Sequence, residues 1–443
     1  MTTAQVDPAP FLTSIQMFKD LSHHYVEPIR SFKRPARLFL LMTILDGVIL
    51  SGWQLFFNFY MLQSGYARDF LGLVNSMPSA AGLIFGIFVG RISDRIGRKA
   101  SIIIGIAMSG VFMLMQITFR QPVIIAASAF LVGIFNMLFL VSQAPLMMKL
   151  SDGENRTMLF SLNYGLQTIA GAAGSLFAGQ LPALFGTMLH VDAHSATAYQ
   201  AVLISSVLLG TVSLIPIWMM EEPPSTPQSN PAQTGPSAGA PSNKPTSPLT
   251  GLIVKMLIPQ ILIGFGAAIL IPYMNVFFKD KFDISDSLLG LLFSLSSLLI
   301  GVGSIITPRL STRLGGKVKA VVATQFGSLI FLLLIGFSPL LWVSSVAFLL
   351  RTALMNMSSP LYTAFCMEHT PEHQQGFVNS ILGLSWNIGW AVGPFISGIV
   401  QERYGFSPLF ITTAILYSLA IAASWNFFVR MESHLDAAQV EQA

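Results

Sequence analysis

Residues 90–99 read Gly90-Arg91-Ile92-Ser93-Asp94-Arg95-Ile96-Gly97-Arg98-Lys99, and residues 308–317 read Pro308-Arg309-Leu310-Ser311-Thr312-Arg313-Leu314-Gly315-Gly316-Lys317. The two stretches lie 218 positions apart, and Gly72 has its counterpart in Gly290 at the same offset. Further along, Gly174 and Gly179 match Gly393 and Gly398 at an offset of 219, and Pro145 has a counterpart in Pro360. Offsets that agree across half a chain mark an internal repeat. Parallel repeats in a membrane carrier place the solute site at the interface between the halves, near the midplane.

Outward from these loops the chain is apolar. Of 443 residues, 53% are hydrophobic and 10% charged, against roughly 25% charged in soluble domains. A membrane helix needs about 20 apolar residues at 1.5 Å each. Twelve stretches qualify: 38–63, 70–92, 100–119, 122–148, 157–181, 199–220, 252–278, 287–309, 319–337, 340–366, 375–401 and 407–430. They are continuous and lack two-residue alternation, so helices rather than a barrel satisfy the backbone in lipid. The expected fold is all-α, twelve transmembrane helices in two pseudo-symmetric six-helix bundles.

Lys and Arg set the orientation. With the N-terminus cytoplasmic, 18 of the 24 basic residues fall inside. Five fall outside (Arg68, Arg120, Lys279, Lys281 and Arg403), and Arg351 is left within a span. Both termini are therefore expected in the cytoplasm of a multi-pass inner-membrane protein. The net charge of +4 serves topology, and no nucleic-acid partner is expected. The expected division is a cytoplasmic arm at 1–36, a bundle at 37–220, a linker at 221–250, a second bundle at 251–430 and a tail at 431–443. In the arm, Phe11, Ile15, Phe18 and Leu21 share a helical face suited to lying on a bilayer. Eight of the thirty linker residues are proline and few are apolar, so the linker is expected to be disordered. Cys366, the sole cysteine, reads as a small apolar filler.

The pattern Gly90-x-x-x-Asp94-Arg95-x-Gly97-Arg98-Lys99 resembles the signature loop between the second and third helices of the major facilitator superfamily. The second-half copy keeps Arg313, Gly315 and Lys317 but has Thr312 in place of the acid. The resemblance implies a latch: Asp94 would meet the start of helix 11 while the cytoplasmic side is closed and release it on opening. It also implies that helices 2 and 11, and 5 and 8, meet across the halves, and that helices 1, 4, 7 and 10 line the cavity. Glycine stripes at Gly82, Gly86 and Gly90, at Gly389 and Gly393, and at Gly171 and Gly174 suit close helix packing.

Asp46 on helix 1 and Arg351 on helix 10 are ionisable residues inside spans, where a charge costs at least roughly 2.5–3.5 kcal/mol. Helical phase adds Trp53 beside Asp46, Asn136 and Gln143 on helix 4, Gln260 and Asn275 on helix 7, and Tyr362 beside Arg351. These eight form the candidate solute and proton pathway. Asp46 would take and release a proton, and Arg351 would repel it or bind an anion. The alternative is that the two pair as a structural ion bridge.

The aromatic and sulfur-rich set favours proton-coupled efflux of hydrophobic or amphipathic compounds. A carboxylate on helix 1 is similar to drug–proton antiporters of the family. Their Gly-Pro motif on helix 5 is not matched, since helix 5 has Gly171-Ala172-Ala173-Gly174. Uptake of a sugar or organic anion is the alternative, and a non-transporting sensor is the alternative from another class. No phosphate loop is present. His369 and His373 lie in a short loop unlike the helical zinc pattern. A monomer without enzyme activity, metal or cofactor is expected.

Overall fold

The computed structural model describes residues 32–152, 155–221 and 247–429. Most of the N-terminal arm and linker, together with Arg430 and the tail, lies outside the described residues. Twelve long helical elements follow in order: α1 (Arg34–Gln63), α2 (Arg68–Ile96), α3 (Arg98–Thr118), α4 (Pro122–Leu150), α5 (Arg156–Leu189), α6 (Ala196–Trp218), α7 (Gly251–Phe282), α8 (Asp286–Arg313), α9 (Lys317–Phe337), α10 (Leu341–Glu368), α11 (Glu372–Tyr404) and α12 (Ser407–Val429). Eleven are long and apolar enough to cross a membrane. The remaining one, α11, has 33 residues but is diluted by Gly, Ser, Asn and Trp. Its lower hydropathy is tolerated because it packs along α2 on one side and α7 on the other.

Local sequence explains the joints. Gly97 sits at φ 92° between α2 and α3, and its repeat partner Gly315 sits at φ 66° between α8 and α9. A side chain there would be strained, so the two loops turn sharply at equivalent places. Ser195 and Ser285 cap α6 and α8 by accepting from the backbone N–H of Ala198 and Leu288, both at 3.3 Å.

Two predicted spans differ in detail from what forms. The stretch expected at 252–278 is broken by a 3-10 turn at Ile271–Tyr273, and the helix resumes over Met274–Phe282. Pro272 within the turn cannot donate to the preceding turn's carbonyl, which accounts for the break. The stretch expected at 157–181 turns at Gly179 and Gln180 and continues over Leu181–Leu189.

Repeat symmetry is visible in the packing. Within the first half α1 lies against α5, and within the second half α7 lies against α11. A Cβ added at Gly47 would stand 2.9 Å from Gln167 O, and one at Gly389 would stand 2.8 Å from the Gly264 carbonyl carbon. Between the halves, α2 meets α11 and α5 meets α8. A Cβ on Gly72 would stand 2.6 Å from Pro394 O and 3.1 Å from Gly398 Cα. The repeat-related Gly290 would meet Ser175 O at 2.6 Å and Gly179 Cα at 2.8 Å. Small residues at these four positions let the helix backbones touch.

Among the described residues the apolar core is shared between the halves at one face. The motif face carries residues 94–99 and 312–317, and the opposite end is the far face. Near the far face one apolar cluster runs through both halves, from Leu55, Phe56 and Tyr199 to Tyr273, Phe277 and Leu289. Near the motif face each half closes on its own cluster. Phe39, Leu146 and Leu159 belong to the first half, and Val321, Phe365 and the buried Cys366 to the second.

Candidate functional site

Between the halves, on the motif-face side of the shared cluster, lies a cavity of about 1030 Å³. Its wall is weighted towards the second half: α7, α8, α10 and α11 supply most of it, with Gly82 to Ile87 of α2, Gln54 of α1 and Met137 of α4 opposite. Apolar and sulfur-bearing groups (Phe293, Phe348, Met274, Met355) alternate with uncharged polar ones (Gln260, Asn356, Asn379, Asn387). Trp386 and Trp390 stand one turn apart on α11 with ring centroids 6.1 Å apart.

Arg351 is the charged residue in this wall, and it is 5% exposed. Its Nη2 donates to the Tyr417 hydroxyl at 2.9 Å, and its guanidinium carbon lies 5.9 Å from that ring's centroid. Its Nε is buried without a hydrogen-bond partner, as are Trp390 Nε1 and Gln325 Oε1 in the same wall. No ion pair joins Arg351 to a carboxylate among the described residues.

Of the eight pathway residues expected from sequence, the structure brings Gln260, Arg351 and Tyr362 into the wall. Tyr362 also donates its hydroxyl to Met256 O at 2.6 Å, tying α10 to α7. Asn275 lies elsewhere, buried in the seam at the far face. It donates to Leu55 O at 2.8 Å and accepts from Asn58 at 3.0 Å. Trp53 stacks on Phe57 at 4.8 Å rather than facing the cavity, and the adjacent Gln54 takes that place. Asn136 and Gln143 are half-buried outside the wall. Asp46 is also half-buried and outside the wall, beside the α1–α5 crossing at Gly47, and forms no pair with Arg351. The expected ring of helices 1, 4, 7 and 10 is thus displaced towards α8 and α11. Gly82 and Gly86 line the cavity, Gly86 beside Met137 of α4, and Gly90 faces open space.

The far face is closed by polar contacts that the sequence reading did not single out. Asp286, 5% exposed at the start of α8, receives Lys279 Nζ at 2.9 Å, His194 Nδ1 at 3.1 Å and the Tyr199 hydroxyl at 3.1 Å. His194 and Tyr199 belong to the first half, so this carboxylate bridges the seam. On the other side Arg68 pairs with Asp280 at 2.6 Å, and its backbone N–H donates to Glu402 at 2.9 Å. Asn58 also donates to Pro272 O at 2.7 Å, holding the break in α7 against α1.

At the motif face the polar contacts of Asp94, Arg98, Lys99 and Lys317 described here lie within each half. Asp94 pairs with Arg98 four residues on, and Arg98 also donates to Ser93 at 2.8 Å. Lys99 donates to Trp218 O at 3.0 Å, and Lys317 pairs with Glu368. Among the described residues Asp94 engages its own loop, which suits a structure open on this face.

A family profile described as Major Facilitator Superfamily matches residues 38–394 and, in a second match, 256–442. The multidrug resistance protein MdtG of Salmonella typhimurium is 25% identical over 198 residues, covering 43% of this chain and 47% of that protein. The aligned stretch spans about half the length of the curated relatives it matches. Among solved structures, the nucleoside transporter NupG superposes with a TM-score of 0.67 at 14% identity, covering 89% of this chain and 98% of that one. A D-xylose-proton symporter gives 0.64 at 14% identity over 89% and 98%. The human organic anion transporter MFSD10 gives 0.57 at 17% over 88% and 99%. These likenesses extend to the fold.

Proposed function

The chain belongs to the major facilitator superfamily, and from that premise we propose that it carries a small amphipathic solute by alternating access, exporting it in exchange for protons. One observation carries this reading: a cavity of about 1030 Å³ lies between two halves that are sealed at one face and apart at the other. The aromatic, sulfur-bearing and uncharged polar wall suits a solute with a sizeable apolar body. The local resemblance to MdtG supports efflux. The likeness to sugar and nucleoside carriers is one of fold.

The protein acts as a carrier rather than an enzyme, as a monomer in the inner membrane with the motif face in the cytoplasm. The structure corresponds to the inward-open state. Opening outward requires the Asp286 and Arg68 contacts to part while Asp94 exchanges Arg98 for the start of α11. Asp46 takes and releases the coupled proton. It is an acid inside a span, and no ion pair holds it among the described residues.

Proteoliposomes under an imposed pH gradient test this reading, with a panel of amphipathic dyes and Asp46→Asn beside the parent. The parent should drive dye against its gradient, and the variant should lose that drive while retaining downhill exchange. Undiminished pH-driven transport by Asp46→Asn would remove Asp46 from the mechanism.

A further inference from the structure

Arg351 poses a problem of charge. It lies well inside α10, lines the cavity and is almost wholly buried, yet its bound partner is the neutral Tyr417 hydroxyl. Buried charges in proteins are ordinarily paired, because an unpaired one is poorly solvated. The other acids near the seam do not serve. Asp286, Asp280 and Glu402 are engaged at the far face, and Asp94 and Glu368 at the motif face. Asp46 does not reach the wall.

Three buried side-chain atoms in this wall have no partner, two of them donors and the third the acceptor Gln325 Oε1. Arg351 Nε and Trp390 Nε1 are both N–H donors, both buried, both without an acceptor, and both residues line the cavity. Buried polar groups are seldom left without a partner, and where they are, a ligand is one explanation. An arginine presents planar, paired donors that match a carboxylate better than any neutral group. The rest of the wall supplies an apolar floor for an attached body, from the Trp386–Trp390 pair to Phe293 and Phe348.

We infer that Arg351 is the counter-charge for the solute, and that the cavity selects amphipathic monoanions: a carboxylate held by Arg351 and Trp390, with an aromatic or aliphatic body against the α11 tryptophans. The inference rests on the carrier reading above and narrows its substrate class. It also gives Tyr417 a role. By accepting from Nη2, the Tyr417 hydroxyl fixes the guanidinium plane.

The test is a matched series on one skeleton: phenylbutyrate, phenylbutanamide and phenylbutylamine. Binding to the purified full chain in phosphatidylcholine nanodiscs is measured by calorimetry. The carboxylate should bind about tenfold or more tighter than the amide, as a charge-assisted hydrogen bond implies, and the amine should bind weakest. In Arg351→Gln the carboxylate-to-amide ratio should fall to about one. If Arg351→Gln fails to fold, Trp390→Phe keeps the ring and removes one donor, and should lower the ratio about threefold. An amide or amine that binds the parent as tightly as the carboxylate overturns the inference. So does a ratio unchanged in a folded Arg351→Gln, or in Trp390→Phe where that variant stands in for it. Counterflow in proteoliposomes separates the two readings. Exchange of the amine or amide but not the carboxylate sinks the anion site and spares the carrier. Preferential carboxylate binding without exchange of any compound sinks the carrier and upholds the site.

Discussion

The two seams that close the far face are copies of one another with opposite charge. Arg68 is the opening residue of α2 and Asp286 the opening residue of α8, 218 positions on. Four residues later in each helix comes the glycine that touches the other half, Gly72 or Gly290. The backbone crossing is preserved across the repeat, and the charge above it is inverted. Both charges reach the end of α7, where adjacent residues answer them: Asp280 for Arg68 and Lys279 for Asp286. The settings differ. Asp286 has 6% side-chain exposure and three side-chain partners, whereas the Arg68 and Asp280 side chains are 26% and 39% exposed. Close backbone approach tolerates little change, so duplication keeps it. A charge at a helix end tolerates reversal as long as its partner reverses too.

That comparison can be broken at several levels. The largest effect should come from Gly290→Leu, whose side chain would have to pass through Ser175 O and Gly179 Cα. Overpacking costs about 1–3 kcal/mol at a closed crossing, so the far face should spring open and exchange should fall at least about tenfold. Gly72→Leu should do the same on the other seam, and normal exchange by either variant would show that the crossing is not needed.

Next in size is the contrast between Asp286→Asn and Arg68→Gln. Removing the buried carboxylate strands Lys279 and costs about 3–5 kcal/mol of far-face closure, whereas the more exposed Arg68 pair is worth about 0–1 kcal/mol. Thiol labelling of a cysteine placed at Leu55, buried in the shared cluster of the closed far face, reads the closure, since the sole native cysteine, Cys366, is buried. Equal labelling of the two variants would erase the asymmetry. A smaller effect, under about 1 kcal/mol, is expected from the charge swap. Arg68→Asp alone should raise labelling slightly, and adding Asp280→Arg should restore it; failure to restore would show that the pair is incidental. The smallest effect on stability should come from Asp94→Asn, because Asp94 is exposed and, among the described residues, pairs with Arg98 of its own loop. Its unfolding temperature should match the parent's while its exchange slows. An unchanged exchange rate would remove the latch role.

Much of this was legible in the sequence, and the reasons differ by element. The repeat offsets matched Gly72 with Gly290 and Gly179 with Gly398, and in the structure these same glycines meet across the halves, Gly72 with Gly398 and Gly290 with Gly179. The spans expected to end at 92 and 309 run on to Ile96 and Arg313, where Gly97 and Gly315 take positive φ. The break in α7 had its signal in Pro272 within an otherwise continuous apolar run. The Asp286 cluster had none. A charged residue at a helix end is what topology alone would supply, and its partners His194 and Tyr199 lie 92 and 87 positions away. Helical phase grouped Gln260, Arg351 and Tyr362, which line the cavity wall. It could not foresee that the cavity would lie off-axis, which leaves Asp46, Trp53, Asn136 and Gln143 outside and admits Gln54. That displacement depends on how the two halves tilt, a property of the assembled bundle rather than of any one helix.

The central claim is that the halves rock about these far-face crossings. Spin-label distances between Ile96 and Leu314 on the motif face, and between Arg120 and Leu340 on the far face, test it in one protein. The account predicts that under a pH gradient with solute present the motif-face distance shortens as the far-face distance lengthens. Two distances that stay fixed, or move in the same direction, while solute is being carried would contradict it.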